Sequence, residues 1–373
     1  MNFKNANIYT EGFRFVHGGF SVQDGKFRDV LIEHEDAVDL NGAFVIPGLI
    51  DVHNHGNSNC DFSDGSYEGD VKMARYLAGV GVTSFAPATM TLPYEVIARA
   101  LEAGRKLREK PETGCARLLG VQMEGPFFSE KKKGAQNGEY LRLPDFAAFE
   151  RLYRDSDGMI SIVDLAPELE GAEDFVQQAK ALCTVSIAHT DSDYEHAKAA
   201  IDAGVTHLTH LYNAMPPIHH RKPGVIGAAS EQDTVSAELI CDGIHVHPSS
   251  VRMAFKLFGA ERMVLISDAL RCCGMPDGEY ELGGQQVFLA DNVARLADGT
   301  IAGSATNLFD CMRNAIRFGI PKEDAIRAAT WNPARQIHAL ERVGSIANGK
   351  LADFVICDAE LNRNEVWLGG EKL

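Results

Sequence analysis

Phe44-Val45-Ile46-Pro47-Gly48-Leu49-Ile50-Asp51-Val52-His53-Asn54-His55 is the stretch on which the fold turns. Its nearly unbroken apolar run is the pattern of a strand buried on both faces, as in a parallel sheet. The run ends in His-x-His. Side chains two apart on a strand point to the same side, so His53 and His55 can grip one ion.

Downstream the same kind of run recurs, giving strand-like segments at 44–52, 82–88, 118–124, 160–165, 184–189, 207–211, 236–241 and 263–267. Helix-like stretches lie between them, among them 66–79 behind Ser66, 93–109 with Pro93 at its start, and 172–182. This alternation predicts an α/β protein with a (β/α)8 TIM-type barrel. After the last run, 280–297 reads as an extra β excursion, and 305–318, 321–329 and 332–339 read as helices. Upstream, residues 1–44 alternate in short segments broken by the turn dipeptides Gly18-Gly19, Asp24-Gly25 and Asn41-Gly42. Strand patterns return at 344–346 and 352–357. The expected organisation is therefore a small β-sandwich domain built from both chain ends, 1–44 and 344–373, around a barrel over 45–343.

Apolar residues make up 45% of the chain and aromatic residues 8%, which excludes wholesale disorder. The formal charge of -16 opposes binding to nucleic acid and to anionic membrane surfaces, so neither is expected as a partner. An anionic substrate would need cations gathered locally. The eight cysteines are scattered without a CxxC pair and read as reduced core thiols. No signal-peptide-like run opens the sequence and no stretch of about 18 apolar residues occurs, so the expected location is cytoplasmic.

Five of the run ends carry metal-binding or titratable side chains. They are Asp51-Val52-His53-Asn54-His55, Met123-Glu124-Gly125-Pro126, Ala188-His189-Thr190, Thr209-His210-Leu211 and Ser267-Asp268-Ala269. In a barrel these ends share the face on which active sites are built. Glu124 can bridge two ions or complete one shell, while His189 and His210 add two imidazoles. A carboxylate with imidazoles suits Zn or Fe better than Mg, as one ion or two. A lone histidine at a strand end is usually packed or capping; the recurrence in barrel register is what carries the metal reading. His17, His34, His196, His207, His247 and His338 lack that placement and read as surface or core residues. His219-His220, in a basic loop, fits either reading, and Lys131-Lys132-Lys133 reads as a solvated face.

With those residues in place, the sequence resembles the amidohydrolase superfamily through 47–55 and through Gly344-Ser345-Ile346-Ala347-Asn348-Gly349-Lys350-Leu351-Ala352-Asp353. Narrower runs look like the N-acetylglucosamine-6-phosphate deacetylase family: MEGPFF at 123–128, KGAQ at 133–136, THLYNAMPPIHHRKPGVIG at 209–227, DGIHVHP at 242–248 and GTIAGS at 299–304. The resemblance implies a hydrolase of a linear amide bond. It implies Glu124, His189 and His210 as main metal ligands and Asp268 as the acid/base. Members with the His-x-His pair can hold two ions, and this chain has His53 and His55. Such an ion would lower the pKa of water toward about 7 and polarise the amide carbonyl. Asp268 would take the water's proton and return it to the departing amine.

Substrate positions implied by the resemblance are Ala135, Gln136, Asn213, Ala214, Arg221, Asp242, Gly243, Ile244, His245, Ile301, Ala302 and Gly303. Arg221 and His245 are the expected phosphate partners, a forked guanidinium and a protonated imidazole. In this family the arginine can reach in from a neighbouring subunit, which implies a homodimer. One departure stands out: some members have a histidine near the substrate carbonyl where this chain has Gln136, which donates a hydrogen bond but does not titrate. A polarising or positioning role is expected of it. No motif reports whether the sugar is gluco or galacto. The full set of ligands argues against a non-catalytic barrel.

Overall fold

Each of the apolar runs contains a parallel strand in the computed structural model, which describes all 373 residues. These are β1 (Leu49–Asp51), β2 (Val82–Phe85), β3 (Arg117–Leu118, resuming as Val121–Phe127), β4 (Ile160–Leu165), β5 (Thr184–Ile187), β6 (His207–Leu208), β7 (Ser236–Ile240) and β8 (Met263–Ile266). They pair in chain order as two parallel sheets, one of β1, β2 and the first segment of β3, the other from the second segment of β3 to β8. At the far edge, the Asp268 N–H donates to the His53 carbonyl (2.9 Å) and the Ser267 hydroxyl to the buried Asp51 carboxylate (2.6 Å), so the chain just past β8 meets the end of β1.

Burial on both faces is what the unbroken apolar runs demanded. Leu49, Leu239 and Leu265 join the large apolar cluster shared with the helices, while their neighbours Ile50, Ile240 and Ile266 join a second cluster on the opposite face, closed off by Ala334, Ile337 and Val343. The helices begin where the sequence indicated: Tyr67–Gly79 follows Ser66, whose hydroxyl accepts from the Gly69 N–H (3.2 Å), and Tyr94–Glu109 follows Pro93. Ala172–Ala179 stops short of the expected end at 182. None of the helices is long and apolar enough to cross a membrane.

The expected first run, 44–52, proves to be two strands in two sheets. Phe44–Pro47 belongs to the small sheet and Leu49–Asp51 to the parallel one, with Gly48 at the crossing. A side chain there would sit 2.0 Å from the Thr83 hydroxyl, so only glycine lets the chain pass.

The expected sandwich is likewise corrected. Strands from both chain ends do meet, but in one continuous mixed sheet: Glu371–Lys372, Arg363–Leu368, Phe354–Cys357, Phe44–Pro47, Asn2–Tyr9, Phe15–Gln23 and Lys26–Arg28, with Val38–Asp39 beside Asn2–Tyr9. Phe27 and Phe354 lie four strands apart, about 19 Å in a flat sheet. Their rings nevertheless approach to 5.8 Å. The sheet therefore rolls around Phe3, Phe20, Phe27, Phe354 and Trp367, and the Phe27 N–H reaches the Lys350 carbonyl (2.9 Å) to fasten the seam.

The excursion after β8 forms four antiparallel strands, Gly278–Leu282, Gln285–Ala290, Val293–Leu296 and Ile301–Ser304. Its inner face buries Leu282, Val287, Leu289 and Ala294 against Met90, Ala135 and Leu270. Ser304 bridges to Ala269, which brings Ile301–Gly303 to the mouth of the β8 end.

Candidate metal centre

β5, β6 and β8 all stop just before their functional residue. His189, His210 and Asp268 then adopt the left-handed backbone, with φ of 44°, 31° and 49°. Non-glycine residues there cost roughly 1–3 kcal/mol each, a strain that functional sites concentrate. Each bend turns the chain at the residue whose side chain meets Glu124 or the His53/His55 pair. Glu124 itself sits within β3, before Gly125, where a Cβ would strike the Thr91 hydroxyl at 2.1 Å.

The five candidate ligands named from the sequence converge. Glu124 Oε1 lies 3.1 Å from both His189 Nε2 and His210 Nε2, and those two nitrogens are 3.1 Å apart. Glu124 Oε2 lies 3.2 Å from His55 Nε2, and His53 Nε2 is 3.7 Å from Oε1. Asp268 Oδ1 faces the second pair, 3.4 Å from His55 Nε2 and 3.6 Å from His53 Nε2. Glu124 thus joins two groups of potential ligands, one with His189 and His210, the other with His53 and His55.

Whether these residues fit a metal is tested by what their other atoms do. His53 Nδ1 meets the Glu238 carboxylate (2.9 Å) and His189 Nδ1 donates to the Lys132 carbonyl (2.9 Å), so each ring presents Nε2 as a lone pair to the centre. His53 Nε2 is fully buried and has no hydrogen-bond partner. An orphaned acceptor is costly unless something takes its lone pair. The three 3.1 Å separations are also close to the edge of a tetrahedron with 2.0–2.1 Å bonds, roughly 3.3 Å. The donor set fits a divalent ion.

Electrostatics points the same way. Burial alone would raise the Glu124 carboxyl, yet the surrounding imidazoles hold it well below the usual range. Burial would lower His55, but Asp268 and Glu124 push it up to about 10. Burial opposes ionisation of Asp268 too, and His55 and His53 overcome it, keeping its pKa lowered. The attraction that holds protons on the imidazoles is equally available to a cation.

An open-mouthed cavity lies above these groups. Of the substrate positions expected from the sequence, Ala135, Gln136, Asn213, Ala214, His245, Ile301, Ala302 and Gly303 line it. Asp242 lies behind: its carboxylate accepts from the Ile244 and His245 N–H groups (2.8 and 2.9 Å) and meets His245 Nδ1 at 2.6 Å. Burial would lower His245, but Asp242 raises it, favouring the imidazolium. Gly243 is exposed at the turn and Ile244 half-buried, neither lining the cavity.

Arg221 is not brought to the cavity of its own chain. It lies exposed beside His220, in a surface pocket with Asp191 and Asp193. His17, His196, His219, His220, His247 and His338 are exposed, His34 is partly exposed, and His207 is buried against Glu238 Oε1 (3.0 Å). The Lys131 ammonium is exposed and pairs with Asp191, but the same run's Lys132 carbonyl orients His189.

Sequence reasoning missed Met90, Gly134 and Thr300 in the cavity wall. It also missed Glu238, which holds both His53 and His207 and accepts from the His210 N–H (3.1 Å). A buried glutamate interrupting the apolar run Ser236–Ile240 was the available signal.

The amidohydrolase family model matches residues 44–371. The chain is 36% identical over 367 residues to the N-acetylglucosamine-6-phosphate deacetylase of Bacillus subtilis, covering 96% of this chain and 93% of that one. It is 36% identical to the N-acetylgalactosamine-6-phosphate deacetylase of Escherichia coli O157:H7, over 94% and 93% of the two chains. Among solved structures, it superimposes with a TM-score of 0.92 on the N-acetyl-D-glucosamine-6-phosphate deacetylase of Mycobacterium smegmatis, an aspartate-to-alanine mutant in complex with N-acetyl-D-glucosamine-6-phosphate. That match is 31% identical and covers 100% and 98% of the chains.

Proposed function

The chain belongs to the amidohydrolase family, and from that membership we propose that it hydrolyses N-acetylglucosamine 6-phosphate to glucosamine 6-phosphate and acetate. The observation that carries this reading is the convergence of His53, His55, Glu124, His189, His210 and Asp268 at the floor of one cavity. The galacto epimer is the second reading, favoured by the similarity to the Escherichia coli enzyme named for it.

Zn or Fe, as one ion or two, would be held by Glu124 with His189 and His210, and by His53 and His55. When bound it supplies an activated water and a polarised carbonyl. Asp268, beside the second imidazole pair, takes the water's proton and returns it to the nitrogen as the amide C–N bond breaks and the new C–O bond forms acetate. Gln136 offers an amide donor at the cavity wall. The Ile301–Gly303 segment, Ala135, Asn213 and Ala214 shape the sugar's berth.

The phosphate assignment rests on His245, whose Nδ1 is committed to Asp242 and whose raised pKa favours the cation. The cavity lining of a single chain contains neither lysine nor arginine. Arg221 from a second subunit would supply the missing charge, which supports a homodimer with Arg221 near its interface. We read the two parallel sheets as one closed eight-stranded barrel over 45–343, supported by the link from Asp268 to His53, and 1–44 with 344–373 as the small domain. Eight unpaired cysteines agree with a reducing, cytoplasmic setting.

Acetate release from N-acetylglucosamine and N-acetylgalactosamine, each with and without the 6-phosphate, after loading with Zn²⁺ or Fe²⁺, tests class, epimer and metal together. Release confined to one 6-phosphate and dependent on metal is the expected result. Metal-independent release, or none from either phosphate, overturns the reading.

A further inference from the structure

Gln136 is held at both ends. Its Oε1 accepts from the Thr91 N–H (2.7 Å), and its Nε2 donates to Glu124 Oε2 (2.8 Å). The first contact fixes the second: a backbone N–H only donates, so the amide oxygen must face Thr91 and the NH₂ must face the carboxylate. Gln136 is itself 4% exposed, and both contacts are buried.

What it grips is the oxygen that faces His55 in the second half of the centre, His53 Nε2 lying 3.7 Å from the other oxygen. Oε1 of Glu124 is equidistant from His189 and His210, whereas Oε2 is the oxygen near His55. A carboxylate shared between two ions can present one oxygen to each. A carboxylate free to turn about its last bond can instead give both oxygens to the His189/His210 side. One N–H on Oε2 leaves that oxygen's other lone pair for an ion at His53 and His55 and opposes the rotation.

We infer that Gln136 is a positioning residue that locks Glu124 in its bridging orientation and thereby sets how many metal ions the centre holds. Resting on the two-group metal reading above, this gives Gln136 a task distinct from contact with the substrate carbonyl. Outer contacts of this kind are typically worth 10- to 100-fold in metal affinity.

The test is metal affinity rather than turnover. Wild type, Gln136→Ala and Gln136→Met are loaded with Zn²⁺, and the two binding steps are read by competition with a chelator and by metal analysis. Methionine keeps the length and roughly the volume while removing the donor to Glu124 together with the acceptor of the Thr91 N–H. Expected are two ions in wild type, with the weaker step 10- to 100-fold weaker in both variants and the tighter step unchanged. The unchanged tight step also reports that the variants are folded. Two ions held by wild type and variants with equal affinities, or a single ion in all three, overturns the inference and leaves the metal reading intact. No ion in wild type overturns the metal reading itself.

Discussion

The two halves of the centre share Glu124 and are otherwise built to different tolerances. On one side Glu124 Oε1, His189 Nε2 and His210 Nε2 form a triangle with all three sides 3.1 Å. The backbone steadies this side, through the Lys132 carbonyl on His189 and the His210 N–H on Glu238. On the other side the separations spread from 3.2 to 3.7 Å. His53 is fastened to Glu238 and Asp268 intrudes at 3.4 Å, while each half has one ring whose Nδ1 is unpartnered, His210 in the first and His55 in the second. The first half is the more tightly gathered; the second, which Asp268 faces, is looser.

Removing the shared ligand should have the largest effect. Glu124→Ala is expected to reduce bound metal below one ion per chain and turnover by several orders of magnitude, measured by metal analysis beside acetate release. Wild-type metal content in that variant would break the comparison, because the halves would then not meet at Glu124. Asp268→Asn addresses chemistry without binding: metal content should stay near normal while turnover falls about 10²- to 10⁴-fold. Normal turnover in the loaded variant would remove Asp268 from its role.

Glu238→Gln sharpens the contrast further. Its carboxylate is fully buried and kept at a pKa of about 2, burial being outweighed by His53 and His207. We expect the ion on the His53/His55 side to bind about 10- to 100-fold more weakly in a chelator competition, with a smaller change on the other. Equal losses in both halves would place its main effect at the His210 N–H instead. The smallest change is expected from Arg221→Ala: KM for the phosphorylated sugar rises about tenfold, the scale of one charge-assisted hydrogen bond, with little change for the unphosphorylated analogue. Equal losses on both substrates would argue against phosphate recognition.

Much of this was legible from residue type and order. Buried parallel strands announce themselves as apolar runs because both faces are covered, and the candidate ligands stand at the ends of those runs. His207, read as a surface or core residue, lies in a fully buried pair with Glu238. Glu238 escaped notice because nothing local distinguishes a ligand-orienting glutamate from any polar break in a strand; its partner His53 is 185 residues away. The Gly48 crossing was equally silent, because its cause is the bulk of Thr83 on the neighbouring strand. Rolled sheet and sandwich differ only in how far Phe27 and Phe354 are carried toward one another, which alternation along a strand does not encode.

Order along the chain was enough to establish that five strand ends carry imidazoles and carboxylates, because strand periodicity and apolar burial are local properties of consecutive residues. Tertiary structure alone decided which carboxylate oxygen faces which imidazole, that Thr91 turns the Gln136 amide toward Glu124, and that Arg221 lies outside its own chain's cavity. Hydrogen bonds and ligand geometry act over about 3 Å. The residues they join stand 45 or 185 positions apart, and only the folded chain brings them that close.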